Sequence, residues 1–199
     1  MGDIPSMAQK IIAFGHRKRT GKDVAAKFLT TIMKQNCPKL NVRKTSFAWK
    51  LKDICHQLYA WAGLREPVYY ENHPEAREIK LAELGMSPRE VWIKLGTPGI
   101  REAVYDGTWV QYCLRANEDA DILIITDLRF PNEFQAIQKA NGDCIKIIRE
   151  SIPNTDDVAD CALQDMPDHK WDQVVHNDGS LQDLYDLMSV TARILCKHG

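Results

Sequence analysis

Apolar and polar positions along this chain keep changing period, and each change marks an element. Ile11-Ile12-Ala13-Phe14 is a continuous apolar run, so Lys10–Phe14 is predicted as a strand. From Gly21 to Gln35 the spacing becomes helical and stops near Cys37-Pro38. Val42–Phe47 reads as a second strand, and Lys50–Ala62 carries Leu51, Ile54, Leu58 and Trp61 at helical spacing before Gly63. The polar, proline-containing stretch from Arg65 to Arg77 is expected to be a surface connection, with a mobile, substrate-covering segment as the alternative. A helix is predicted from Pro88 through Leu95, with Gly96 at its stop, and another around Thr108–Asn117.

Ile122–Thr126 is again continuously apolar, the mark of a buried strand, and it ends in Asp127. Asn132–Ala140 is helical up to Asn141-Gly142, Cys144–Ile148 is another buried strand, and Asp172–His176 the last. Leu181–Cys196 closes the chain as an amphipathic helix with Ser180 as its N-cap. Strands alternating with helices imply a three-layer α/β fold, a mostly parallel sheet with helices on both faces.

Length and composition narrow this picture. The 199 residues suit one domain with a sizeable core. With 26 Lys+Arg against 27 Asp+Glu the net charge is −1, so nothing in the balance calls for a nucleic-acid polymer or a membrane as partner. Cys37, Cys55, Cys113, Cys144, Cys161 and Cys196 form no C-x-x-C pair, which argues against a zinc site or disulfide framework and fits reduced thiols in a cytoplasm. Met1–Lys10 is short and polar, and no apolar run approaches membrane-spanning length, so a soluble, unexported protein is expected.

The densest candidate chemistry is Gly15-His16-Arg17-Lys18-Arg19-Thr20-Gly21-Lys22-Asp23, set between the first strand and the helix that includes Val24. In the G-x-x-x-x-G-K-[ST] phosphate-binding loop, glycines let backbone N–H groups face phosphate oxygens, the following helix presents its N-terminus, and the lysine reaches the outer phosphates. Asp23 replaces the usual Ser/Thr, and a carboxylate beside a triphosphate implies an intervening Mg²⁺. Asp127, after a buried strand, is where a second Mg²⁺-holding carboxylate is expected. Arg129 two residues on can meet a phosphate bidentately, with Glu133 beside it or serving as a charge at a helix N-terminus.

Two further clusters lie between. Arg89 and Trp92 share a helix face, Gly96 and Thr97 sit at a break with backbone groups open to a ligand, and Trp109 at a helix start can stack on a base or pack in a core. Lys52, in Ser46-Phe47-Ala48-Trp49-Lys50-Leu51-Lys52-Asp53, follows a strand-to-helix turn where anions are favoured.

Taken together, the segments at 15–23, 47–53, 89–101 with Trp109, 125–133 and H-N-D-G-S-L at 176–181 resemble the phage-type deoxynucleoside monophosphate kinases, a branch of the P-loop kinases. The resemblance implies transfer of the ATP γ-phosphoryl group to a deoxynucleoside monophosphate, with ATP and Mg²⁺ as cofactors and small nucleotides as partners. Carried over by position, Gly15, Arg17, Lys18, Arg19, Thr20, Gly21, Lys22, Asp23 and Val24 would cradle ATP. Lys52, Arg89, Gly96, Thr97, Trp109, Asp127, Arg129 and Glu133 would line or flank the acceptor site. Lys22, Asp127 and Arg129 would carry the chemistry, with Asp23 and Asp127 at the metal. It also implies a helical acceptor-binding insertion at about 63–117, a lid at about 150–170, a cytoplasmic location (a host cytoplasm if viral), and leaves a homodimer open.

Two positions depart from the family pattern. Lys50 stands where a proline is usual, and Asp157, Ala159 and Asp160 occupy the His, Ser and Glu places of a D-H-P-S-E-like run. Phosphomevalonate kinases, which share the G-K-D loop and the D-x-R after the central strand, are the rival among enzymes. Leu95-Gly96-Thr97, Arg101 and Trp109 favour a nucleotide, because a base and sugar need a flat apolar wall. A nucleotide-binding regulatory module without acceptor chemistry is the reading from another class.

Overall fold

The structure, a computed structural model, describes residues 9–152 and 161–197. In chain order the elements are β1 (Lys10–Gly15), α1 (Lys22–Asn36), β2 (Val42–Thr45), α2 (Trp49–Tyr59), α3 (Pro67–Asn72), α4 (Pro88–Lys94), a π-helical segment (Leu95–Glu102) and α5 (Thr108–Arg115). Then follow β3 (Ile122–Leu128), α6 (Pro131–Lys139), β4 (Asp143–Ile148), β5 (Gln173–His176) and α7 (Leu181–Lys197). They divide into two compact units, one formed by the chain up to Ser46 together with the chain from Ala116 onward, the other by Phe47–Arg115.

The first unit is built on a five-stranded sheet in the order β2-β3-β1-β4-β5, with all neighbouring pairs parallel. The two runs read as buried strands, together with β1, are the three central strands, and strand alternation explains why both faces had to be apolar. One face gives Ile12, Phe14, Ile122, Ile124, Ile145 and Ile147 to a core shared with Ala25, Leu29 and Met33 of α1 and Leu184 and Met188 of α7. Intervening residues Ile11, Ala13, Leu123 and Ile125 are equally buried. A Cβ at Gly142 would meet Ile137 of α6 and Ile11 within 2.9 Å, so α6 lies close on that second face. Helices therefore cover both faces, as the alternation of elements implied. The chain leaves β1 toward β2 at one edge and later crosses to β4 on β1's other side. That reversal puts a topological switch point, where α/β sheets bind ligands, at the carboxyl end of β1.

The second unit is helical. Leu51, Cys55, Tyr70, Val91, Trp92, Trp109, Val110 and Cys113 are buried in it. Ser87 caps α4 with a full capping box, its hydroxyl accepting the Glu90 N–H while Glu90 accepts the Ser87 N–H at 2.7 Å. Those bonds, the Ser87 backbone N–H first, hold the Glu90 carboxyl below its ordinary value.

Two expectations are corrected here. The Arg65–Arg77 stretch is not a plain connection: α3 and a 3₁₀ turn at Pro74–Glu78 occupy it, and Tyr70 is buried edge-on to Trp92 at 5.1 Å. The Arg77 guanidinium locks the stretch by donating twice to the Tyr70 carbonyl, at 3.0 and 2.7 Å. Its polar composition concealed one packing tyrosine. Nor does the helix stop at Gly96; it continues as a π-helix through Pro98 to Glu102. Wider i→i+5 turns tolerate this proline, whereas an α-helix would lose a hydrogen bond and clash. Smaller boundary shifts place Asp127 inside β3 and end β2 at Thr45.

No helix among the described residues is long and apolar enough to cross a membrane. Among the described residues, Cys37, Cys55, Cys113, Cys144 and Cys161 are free thiols, and burial pushes Cys55 up to about 11 and Cys144 to about 12. Of the altered family run, 156–160 lies outside the described residues, as does part of the lid expected at 150–170.

Candidate active site

β1 delivers the loop Gly15–Lys22 at the switch point. Gly15 pairs with Leu128 on one side and Lys146 on the other, so the loop starts wedged between β3 and β4. A Cβ at Gly15 would lie 2.6 Å from the Trp171 ring and 3.1 Å from the Leu128 carbonyl, so glycine is needed there for close approach. Five residues separate Gly15 from Gly21, one more than the G-x-x-x-x-G-K pattern. Counting back from Gly21, the pattern's first glycine falls on His16, whose φ of 88° is the left-handed conformation glycine normally supplies. Arg19 at φ 64° and Gly21 at φ 100° turn the rest of the loop.

Lys22 is buried and donates across the loop to the Arg17 carbonyl, and the Thr20 hydroxyl donates to the same oxygen at 3.0 Å. Gly21 is the N-cap of α1 and supplies no side-chain cap, so a helix N-terminus with its partial positive charge opens here. Arg17 and Lys18 are half-buried; Arg19, Asp23 and Val24 are exposed. His16 is driven down to about 4, first by burial and then by the positive charges of Lys146 and Arg17, and is neutral at physiological pH. Lys146 itself is buried and pairs with Asp168 at 2.8 Å.

The β3 turn follows from the same register. β3 carries one residue more than β1 between the Ala13–Ile125 and Gly15–Leu128 pairs, so half-buried Asp127 lies at that irregularity, beside the start of the loop. Glu133, 2% exposed, accepts the N–H of Arg129 at 2.8 Å and of Phe130 at 3.1 Å. Its carboxylate thus ties the first turn of α6 back onto the segment that carries Arg129.

The helical unit holds the other candidates. The Trp109 indole is 4% exposed and its N–H donates to the Gly96 carbonyl at 3.0 Å, inside the π-helix. Gly96 is buried under Leu51, whose methyl a Cβ would approach to 2.6 Å, while Thr97 is half-buried. The Lys52 ammonium stands 5.2 Å from the centre of the Trp92 ring, and Arg89 reaches Glu78 at 3.7 Å. Lys50, in the first turn of α2, pairs with Asp53 at 2.7 Å.

Comparison with known proteins adds what geometry alone does not. A model of the deoxynucleotide monophosphate kinase family matches residues 69–188, more than half of the chain. The chain belongs to that family. The match begins after the loop and takes in Arg89, Gly96, Thr97, Trp109, Asp127, Arg129 and Glu133. A deoxynucleoside-5′-monophosphate kinase of Escherichia phage T5 is 30% identical over 92 residues, 42% of this chain and 35% of the phage protein. The chain thus aligns with only about a third of that relative's length. A putative deoxynucleotide monophosphate kinase of Acanthamoeba polyphaga mimivirus is 25% identical over 182 residues, 84% of this chain and 88% of its own. Membership in this kinase family decides against the phosphomevalonate kinase alternative.

Asp23 at the start of α1 and Asp127 on β3, the strand paired with β1, offer hard oxygen donors, a donor type that suits Mg²⁺. Glu150, His176 and Asp178, at the carboxyl ends of β4 and β5, also bring metal-capable atoms within 4.8 Å of one another. All three are exposed, and Asp178 accepts the Glu150 N–H at 2.7 Å. Sequence reasoning passed over Asn177, Lys146 and Trp171, which pack against the loop from more than a hundred residues away. The signal for Asn177 was there in the H-N-D-G-S-L run; nothing in the local spacing pointed to Lys146 or Trp171.

Proposed function

We propose that the chain transfers the γ-phosphoryl group of ATP to a deoxynucleoside 5′-monophosphate and releases the diphosphate. The observation that carries this reading is the left-handed loop closing on buried Lys22 at the carboxyl end of β1, next to Asp127, in a member of this family. Backbone N–H groups at the start of α1 and the Lys22 ammonium bind the β- and γ-phosphates. Arg17, Lys18 and Arg19 add positive charge around the transferring group. Asp23 and Asp127 would hold Mg²⁺, which would supply neutralisation of charge on the phosphates.

The acceptor phosphate is already ionised, so no general base is needed and the residues act by positioning and charge. Arg129, oriented through its backbone by Glu133, meets a phosphate. The helical unit Phe47–Arg115 is the acceptor-binding insertion, with Lys52, Arg89, Gly96 and Thr97 as its monophosphate-binding residues and the Trp109 indole tying the π-helix at Gly96.

A coupled assay for ADP release, with ATP and Mg²⁺ and each deoxynucleoside and ribonucleoside monophosphate in turn, tests the proposal. Turnover with deoxynucleotides is expected. ATP binding without turnover on any monophosphate would instead favour the regulatory module.

A further inference from the structure

The segment after β5 is tied down at both ends. His176 pairs with Ile148 in the sheet, and the Asn177 N–H donates to the Ile148 carbonyl at 2.8 Å. On the other side Asp183 accepts both the N–H and the hydroxyl of Ser180, at 2.7 and 2.8 Å, and gives its own N–H to the Ser180 oxygen at 3.2 Å, closing the start of α7. Between these anchors the Asn177 side chain is buried, 8% exposed, and points at the phosphate loop. Its Nδ2 donates to the Thr20 carbonyl at 2.8 Å, a buried bond between residues 157 apart in sequence. The same nitrogen would stand 2.3 Å from a Cβ at Gly21, so the amide lies directly against that α-carbon.

We infer that Asn177 is a positioning residue for phosphoryl transfer: by holding the Thr20 carbonyl it orients the peptide before Gly21-Lys22 and fixes the loop in its phosphate-receiving shape. This rests on the reading of the loop as the ATP cradle. The chemistry calls for a neutral donor here. Thr20's carbonyl must be turned away from the phosphates for the Gly21 N–H to face them, because the two groups belong to one peptide plane. A carboxylate of the same shape would repel both that carbonyl and the nucleotide. Asn177 also explains why Gly21 has no room for a side chain, beyond its φ of 100°.

The test compares wild type, Asn177→Asp and Asn177→Ala by steady-state kinetics against ATP and against the monophosphate, by calorimetric ATP affinity, and by thermal unfolding. Asn177→Asp is expected to lower kcat/KM for ATP by about a hundredfold at pH 8, and Asn177→Ala by about tenfold, with KM for the monophosphate changed less than about threefold. Protonation turns the Asp side chain back into a donor, so the ratio of Asn177→Asp to wild-type activity is expected to climb as pH falls. A purely structural role would lower activity in proportion to folded protein, leave both KM values alone and show no such recovery; that result overturns the inference, as does unchanged kcat/KM in both folded variants. If wild type binds ATP but phosphorylates no monophosphate, the functional proposal fails while the ATP affinities still decide the role of Asn177. If wild type binds no ATP, the positioning role falls with the cradle.

Discussion

The sheet unit and the helical unit place their candidate residues by different physics. In the first, residues sit at strand ends, where backbone register sets position: Gly15 is paired with Leu128 and Lys146, and Asp127 follows from that pairing. In the second, they sit on short helices and a π-helix, and their places depend on side-chain contacts such as Trp109 to Gly96 and Lys52 over Trp92. Register is enforced cooperatively by many hydrogen bonds, whereas a side-chain post is a single bond. The loop should therefore tolerate little change, and the helical unit should yield gradually.

Lys22→Ala sets the upper bound on this contrast. Losing the buried ammonium is expected to cut kcat/KM for ATP by about a thousandfold or more, with circular dichroism unchanged. Activity within tenfold of wild type would remove the loop from the site.

The two glycines offer a matched pair. At Gly21 an added methyl faces both a φ of 100° and the Asn177 amide, and Gly21→Ala is expected to cost about 2 kcal/mol or more and most of the activity. At Gly96 the methyl meets only the movable end of Leu51, so Gly96→Ala is expected to cost about 1 kcal/mol and to change chiefly the monophosphate KM. Equal costs in denaturant unfolding would erase the distinction between the units.

Trp109→Phe removes the indole N–H from which the buried Gly96 carbonyl accepts. A loss of about 1 kcal/mol, read as a melting point lower by about 3 °C, should accompany a raised monophosphate KM with an unchanged ATP KM. A shift in the ATP constant instead would show that the two units do not divide the substrates.

The smallest expected effect concerns pH. His16 binds its proton near 4 when folded and near the ordinary 6.5 when unfolded, so between these values the unfolded chain holds more protons. Stability should fall as pH drops from about 6.5 toward 4, and His16→Asn, which tolerates the left-handed backbone, should flatten that fall by a few degrees of melting temperature between pH 7 and 5. Equal pH slopes would show that the ring titrates normally.

How much of this was readable beforehand differs by region. The strands around Ile12, Ile124 and Ile147 declared themselves because doubly buried strands must be apolar throughout, and the loop announced itself by glycine, lysine and the flanking pattern. The π-helix was hidden because Gly96-Thr97-Pro98-Gly99 carries strong stop signals, which Leu51 and the Trp109 indole override from elsewhere in the chain. Tyr70 was hidden by the polar residues around it.

Sequence alone determined the alternation of elements, the parallel sheet and the place of the glycine- and lysine-bearing loop after β1, since each depends on periodicity or on neighbours a few residues apart. Tertiary structure decided that His16 takes the glycine conformation, that Glu133 spends its carboxylate on the Arg129 turn, and that Asn177 and Trp171 press on the loop. Those contacts join residues whose separation along the chain carries no period, so only the packed fold brings them together.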